Sequence, residues 1–133
     1  MQLPKVKACI LCEDVRPELG NKLSILGFYG LLPDVQIVTS DISKPLTRLS
    51  LLVVMGEAEG QFSLHVDLLR PDGKIDSQLA QVDAQFKKGE RANMAVGLNN
   101  FTPQVAGKFT IVVAANKKKI YEESFSIAAA ASK

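Results

Sequence analysis

Ser63, His65 and Asp67 stand two residues apart in the run Gln61-Phe62-Ser63-Leu64-His65-Val66-Asp67. A hydroxyl, an imidazole and a carboxylate are the groups from which a nucleophile, a general base and an orienting acid are assembled. His65 is the only histidine, so it is the single candidate for imidazole catalysis, and a metal site built on two histidines is excluded. The spacing argues against a triad. Alternate residues of a strand share one face with Cα atoms about 7 Å apart and side chains roughly parallel, which makes mutual hydrogen bonding awkward. A solvent-facing polar strand accounts for the same pattern.

Cys9 and Cys12 form a C-x-x-C pair. That spacing does redox work at the start of a helix and binds zinc in a tight knuckle with a second ligand pair elsewhere. Val6 to Val15 reads as a strand instead, and residues three apart on a strand point to opposite faces, so two separate structural thiols are expected. The carboxylates fall in loose groups, Glu13-Asp14-Glu18, Glu57-Glu59 and Glu122-Glu123, without the spacing of a calcium loop. Glu13-Asp14-Val15-Arg16 is expected to form a loop that could border a ligand pocket. Gly27-Phe28-Tyr29-Gly30 lies in an apolar strand and precedes no Lys-Ser/Thr signature, so a phosphate loop is not expected. Lys117-Lys118-Lys119 falls at a hairpin tip, where lysines guard a sheet edge. No catalytic, cofactor-binding or metal-ligating residue is assigned on these grounds, and no cofactor is expected.

Composition narrows the classes further. A chain of 133 residues buries roughly two-thirds of its unfolded surface as a single domain, without a disulfide or metal. Its 47% hydrophobic and 23% charged content is that of a folded chain. A net charge of +2 is too small for the field that drives non-specific nucleic-acid binding. The absence of Trp and the 6% aromatic content leave few stacking platforms for single strands or sugars. Met1-Gln2-Leu3-Pro4-Lys5 lacks the pattern of a secretory signal, and no uninterrupted apolar run, Leu51 to Met55 included, approaches the length of a membrane span. A cytoplasmic protein with neither a nucleic-acid nor a membrane partner is expected.

The elements that must position these residues are strands. Val6, Ala8, Ile10 and Cys12 alternate in a first strand that loses its pattern at Glu13-Asp14, and Arg16 to Asn21 reads as a turn or loop. Lys22 to Leu32 is apolar on both faces, which predicts a central strand or one covered by a loop. A short patch Val35 to Val38 precedes Thr39 to Pro45, a crossover with room for one helical turn. Thr47 to Met55 is a buried strand, Gly56 to Gly60 a hairpin turn, and Phe62 to Leu69 a strand with one face in and one out. Arg70-Pro71-Asp72-Gly73 suits a type I turn. Ile75 to Phe86 fits a strand better than a helix, although Leu79, Val82 and Phe86 would also share a helix face. A turn at Lys87 to Arg91 leads to a strand Ala92 to Asn100, broken by Thr102-Pro103. Gly107 to Val113 and Lys119 to Ile127 form a closing hairpin, and Ala128 to Lys133 is expected to fray.

About eight short strands with no long helix predict an all-β, antiparallel two-layer β-sandwich of immunoglobulin-like style, spanning residues 1–133 as one domain. Cys9 to Gly30, reading C-I-L-C-E-D-V-R-P-E-L-G-N-K-L-S-I-L-G-F-Y-G, resembles the opening of an uncharacterised bacterial protein family of unknown function. Gly107-Lys108-Phe109-Thr110-Ile111 with the closing strand is similar to the last hairpin of many immunoglobulin-like domains. The first resemblance covers about a sixth of the chain and implies bacterial origin; neither brings site residues with it.

Apolar residues on both faces of several strands exceed what one core needs, and exposed apolar patches mark contacts. The function expected is a non-catalytic interaction or assembly module, with a protein partner or a homo-oligomer. A small-ligand or enzymatic β-domain, with its pocket near His65 or the Glu13 to Arg16 segment, is the alternative.

Overall fold

The computed structural model describes residues 2–98 and 100–130. It holds seven strands in one open sheet: β1 (Val6–Glu18), β2 (Lys22–Leu31), β3 (Gln36–Thr39), β4 (Ser50–Leu69), β5 (Ile75–Gly97), β6 (Gly107–Ala115) and β7 (Lys118–Ala129). No helix occurs among the described residues. The all-β expectation therefore holds, and Ile75 to Phe86 is strand.

The architecture hangs on the β4–β5 ribbon. Along its first part, Ser50 to Met55, β4 lies between β1 and the end of β5. Along its last part, Leu64 to Leu69, it lies between β6 and the start of β5. The hydrogen-bonded order is β2-β1-β4-β6-β7-β3, with β5 along the other edge of β4. All pairings are antiparallel except β3 with β7, which is parallel.

The interior shows why β4 bends where it does. Leu49, Leu51, Val53 and Met55 enter the core at odd positions, whereas Ala58, Phe62, Leu64, Val66 and Leu68 enter at even ones. Strand alternation has a period of two, so this change of phase needs an extra residue, and the ladder shifts between Met55 and Ala58. The bulge keeps both stretches facing one core, which also takes in Cys9, Leu11, Phe109, Ile111, Val113, Phe125 and Ile127. Phe109 anchors it, with Phe101 edge-on at 5.4 Å and Phe125 stacked at 6.0 Å.

Several boundaries differ from the expectation. Gly56 to Gly60 and Lys87 to Arg91 are not turns; they are bulged stretches inside β4 and β5, which leaves seven strands instead of about eight. Gly and charged residues suit a bend within a ladder as well as a reversal. Arg16 and Pro17 belong to β1, and the turn is confined to Leu19–Asn21, where Gly20 and Asn21 adopt positive φ. The 39–45 connection carries no helical turn; Asp41 accepts the Ser43 backbone N–H at 2.9 Å. At the other end, Ala128 and Ala129 pair with β3 and do not fray, and the rest of that expectation, residues 131–133, lies outside the described residues. The strand expected over Ala92 to Asn100 ends at Gly97, and Asn99 is likewise undescribed.

β2 departs furthest. It pairs with β1 alone, so it is an edge strand, not a central one. Both of its faces are apolar and both are open to solvent.

Candidate functional site

The alternation of β4 puts Ser63, His65 and Asp67 on the face away from the core, beside Gln81 and Asp83 of β5 and Ala114 and Val112 of β6. Ser63 and His65 do meet: Ser63 Oγ lies 3.2 Å from His65 Nε2. The third member is Gln78, whose Nε2 lies 2.8 Å from His65 Nδ1. Gln78 reaches the ring from β5, where the ladder shifts between Val66 and Asp67. With the Gln78 amide nitrogen donating to Nδ1, the neutral ring takes the tautomer that carries its proton on Nε2. In that tautomer Nε2–H donates to Ser63 Oγ, whereas a triad needs the opposite one, with the Nε2 lone pair facing the serine hydroxyl. A flat strand face also offers no converging donors for an oxyanion. The trio is a polar clasp between neighbouring strands.

Glu13 to Arg16 proves to be strand. Asp14 is held by Arg16 Nε at 3.3 Å and by Arg48 Nη2 at 3.5 Å, and its Oδ1 accepts the Val15 N–H at 2.9 Å. These ion pairs are solvent-exposed, where such contacts contribute little stability. Glu13 lies over Gly27, whose φ of +62° and lack of a side chain both suit the close approach. A shallow cleft of about 550 Å³ runs from Glu13 and Asp14 past Thr47 and Arg48 to Leu98. A larger one, about 630 Å³, is bordered by Lys5, Lys7, Glu57 and Arg91. Neither takes in Ser63 or His65.

The remaining carboxylates stay dispersed. Glu57 pairs with Arg91 at 3.4 Å and Glu122 with Lys119 at 2.9 Å. Among the described residues, no three His, Cys, Asp or Glu side chains converge as metal ligands would. Lys117 and Lys118 sit at the β6–β7 turn, and Asn116 fastens that turn to β4 by accepting the Ser63 N–H at 2.8 Å.

The two cysteines are free and buried, and they diverge. Cys9 faces the core, where burial pushes its thiol up to about 11, partly offset by the neighbouring Tyr121 hydroxyl. Cys12 lies on the opposite face, near the carbonyl oxygens of Asp14 at 3.5 Å and Ser50 at 3.8 Å. Burial raises its pKa as well. A protonated, enclosed thiol is a poor nucleophile.

What the surface does offer is the β1–β2 hairpin, which runs beyond the ladder with β4 after Cys12. Leu26, Phe28 and Leu31 line one face of β2, and Leu23 and Ile25 line the other. Phe28 is 60% exposed, Leu31 48% and Tyr29 43%. Sequence reading found these residues and read them as buried, because periodicity reports which positions are apolar and not whether a neighbour covers them. An open sheet bearing an uncovered apolar hairpin defines the chain as an all-β domain. No protein-family model and no curated protein matches it.

Proposed function

We propose that this chain is a non-catalytic interaction or assembly module that meets a protein partner, a further copy of itself included, through the β1–β2 hairpin. One observation carries the reading: Leu23, Ile25, Leu26, Phe28, Tyr29 and Leu31 all stand at least partly in solvent, with Leu19 at the tip 93% exposed. With roughly 180 Å² for a large apolar side chain, these exposures amount to roughly 600 Å², the upper end of what a monomer's largest apolar patch reaches and often functional.

The same reading includes a two-layer, immunoglobulin-like arrangement in which the bent β4–β5 ribbon folds the open sheet on itself. The single core, with Cys9 of β1 inside it and Tyr121 of β7 packed against it, supports it. It also includes a cytoplasmic place and kinship with the bacterial family that the Cys9 to Gly30 run resembles. It requires no cofactor, nucleic acid or membrane.

The test compares the wild-type chain with a Leu26→Lys/Phe28→Lys variant as baits in a lysate of the source organism, beside light scattering of each. Loss of a stoichiometric partner, or of a defined oligomer, in the variant supports the reading. Identical capture and identical mass for both chains would sink it.

The ligand-binding or enzymatic alternative draws on the Ser63–His65 contact alone. A small molecule that raises the melting temperature of the wild type but not of His65→Ala would favour it.

A further inference from the structure

Every sheet edge exposes unpaired N–H and C=O groups that can template another strand, and proteins blunt such edges with brevity, charge, proline or bulges. The open edges of this fold can be compared one by one. β3 has only four residues. The free edge of β5 is bent by bulges and carries Asp76, Asp83, Lys87, Lys88, Glu90 and Arg91. β7 ahead of its pairing with β3 carries Lys118, Lys119, Glu122 and Glu123. Past Cys12, β1 no longer pairs with β4, and there it carries Glu13, Asp14, Arg16, Pro17 and Glu18. Two stretches lack such protection: Ala92–Gly97 of β5 is uncharged and in unbroken register with β4, but its large side chains Met94 and Val96 pack on the core, whereas Lys22-Leu23-Ser24-Ile25-Leu26 of β2 has one charge, lies in unbroken register with β1 and leaves Leu23, Ile25 and Leu26 exposed. Only beyond Leu26 do the positive φ of Gly27 and the shift between Leu11 and Cys12 interrupt the edge.

We infer that β2 pairs with β2 of a second copy of this chain, antiparallel over Lys22 to Leu26, with Ser24 facing Ser24 on the two-fold axis. The inference rests on the interaction reading above and names its partner. The register follows from the pleat. Residues directly opposite across a ladder must share a face, and centring on Ser24 keeps all five residues paired before Gly27. Leu23 of each copy then meets Ile25 of the other, extending the Val15, Pro17, Leu23 and Ile25 face of the hairpin across the axis. On the opposite face Lys22 lies beside Glu18 of its own hairpin and meets Leu26 of the other copy, so its charge is already matched at the seam. Within that register Leu23, Ile25 and Leu26 contribute roughly 200 Å² of exposed apolar surface, below the 800 Å² or so that each partner contributes to a standard interface, so main-chain pairing carries much of a weak dimer.

Ser24 tests the axis directly. Light scattering and sedimentation from micromolar to millimolar concentration should show the 14.4 kDa chain passing to twice that mass. Ser24→Lys and Ser24→Glu each bring like charges together on the axis and should raise the dissociation constant at least about tenfold. An equimolar mixture of the two should recover the dimer as a heterodimer, which a merely misfolded variant would not do. A wild type that keeps its monomer mass at every concentration overturns the inference, and so does a Ser24→Lys chain that still dimerises. If the wild type is monomeric while Leu26→Lys/Phe28→Lys still abolishes capture of another protein, the interaction reading stands and this inference alone falls.

Discussion

Tyr121 on β7 neighbours Cys9 on β1, although no ladder joins the two strands. Cys9 lies in the core and Tyr121 packs against the same core. Burial, and then the neighbouring thiol, raise the Tyr121 pKa above its ordinary value. Both groups are thereby kept neutral in the native state.

The pH dependence of stability follows from that pair. The Cys9 thiol ionises near 9.0 in an unfolded chain and near 11 in the folded one. A raised folded pKa means that the native state holds its proton longer, so this contribution is complete below about pH 9 and disappears as pH rises toward 11. Two pKa units correspond to about 3 kcal/mol. Urea unfolding between pH 8 and 11 should show stability falling across that window, and Cys9→Ala should flatten the fall. An equally steep decline in Cys9→Ala would assign it to other groups.

Gly27 is constrained twice over. Its φ of +62° disfavours any side chain, and a Cβ there would run into the Glu13 carboxylate. Gly27→Ala should cost about 1–2 kcal/mol for the backbone alone, plus the displacement of Glu13. Glu13→Ala/Gly27→Ala should recover the second part and not the first, as read by chemical denaturation of the three variants.

The β6–β7 turn can be improved. Asn116 and Lys117 sit at φ of 50° and 68° between the paired residues Ala115 and Lys118, a two-residue loop with both centres left-handed. Asn-Gly is the preferred pair for such a loop. Lys117→Gly should therefore stabilise the domain by up to about 1 kcal/mol, visible as a higher thermal midpoint. A lower midpoint would mean that the lysine side chain matters more than its backbone.

Much of the fold was legible because it is written in local alternation. Phe62, Leu64, Val66 and Leu68 point inward while Ser63, His65 and Asp67 point outward, and the Arg70 to Gly73 turn closes with a 2.8 Å hydrogen bond, as the residues dictate. What was not legible depends on distant neighbours. Gly56 to Gly60 has the composition of a reversal, yet β5 stays beside it and turns it into a bend. The Ser63–His65 contact was judged awkward from Cα spacing, and it forms because an imidazole is long enough to lean along the strand. Gln78 as its third member could not be read at all, since its arrival depends on the ladder shift near Val66. β2 carried the right residues and the wrong inference, because an apolar face needs a neighbour to be an interior.

The β4–β5 ribbon serves both ends of the sheet without interruption, holding β1 at one end and β6 at the other. No boundary therefore exists at which the domain could be cut into halves that fold separately. A proteolytic nick or an inserted loop near Gly56 to Gly60 would damage both ends together, whereas strands appended at the rim can be lengthened, exchanged or lost one at a time. Variation during evolution should accordingly accumulate at β2 and β3 and spare the ribbon, making the periphery the place where new specificities arise and the ribbon the inheritance they share.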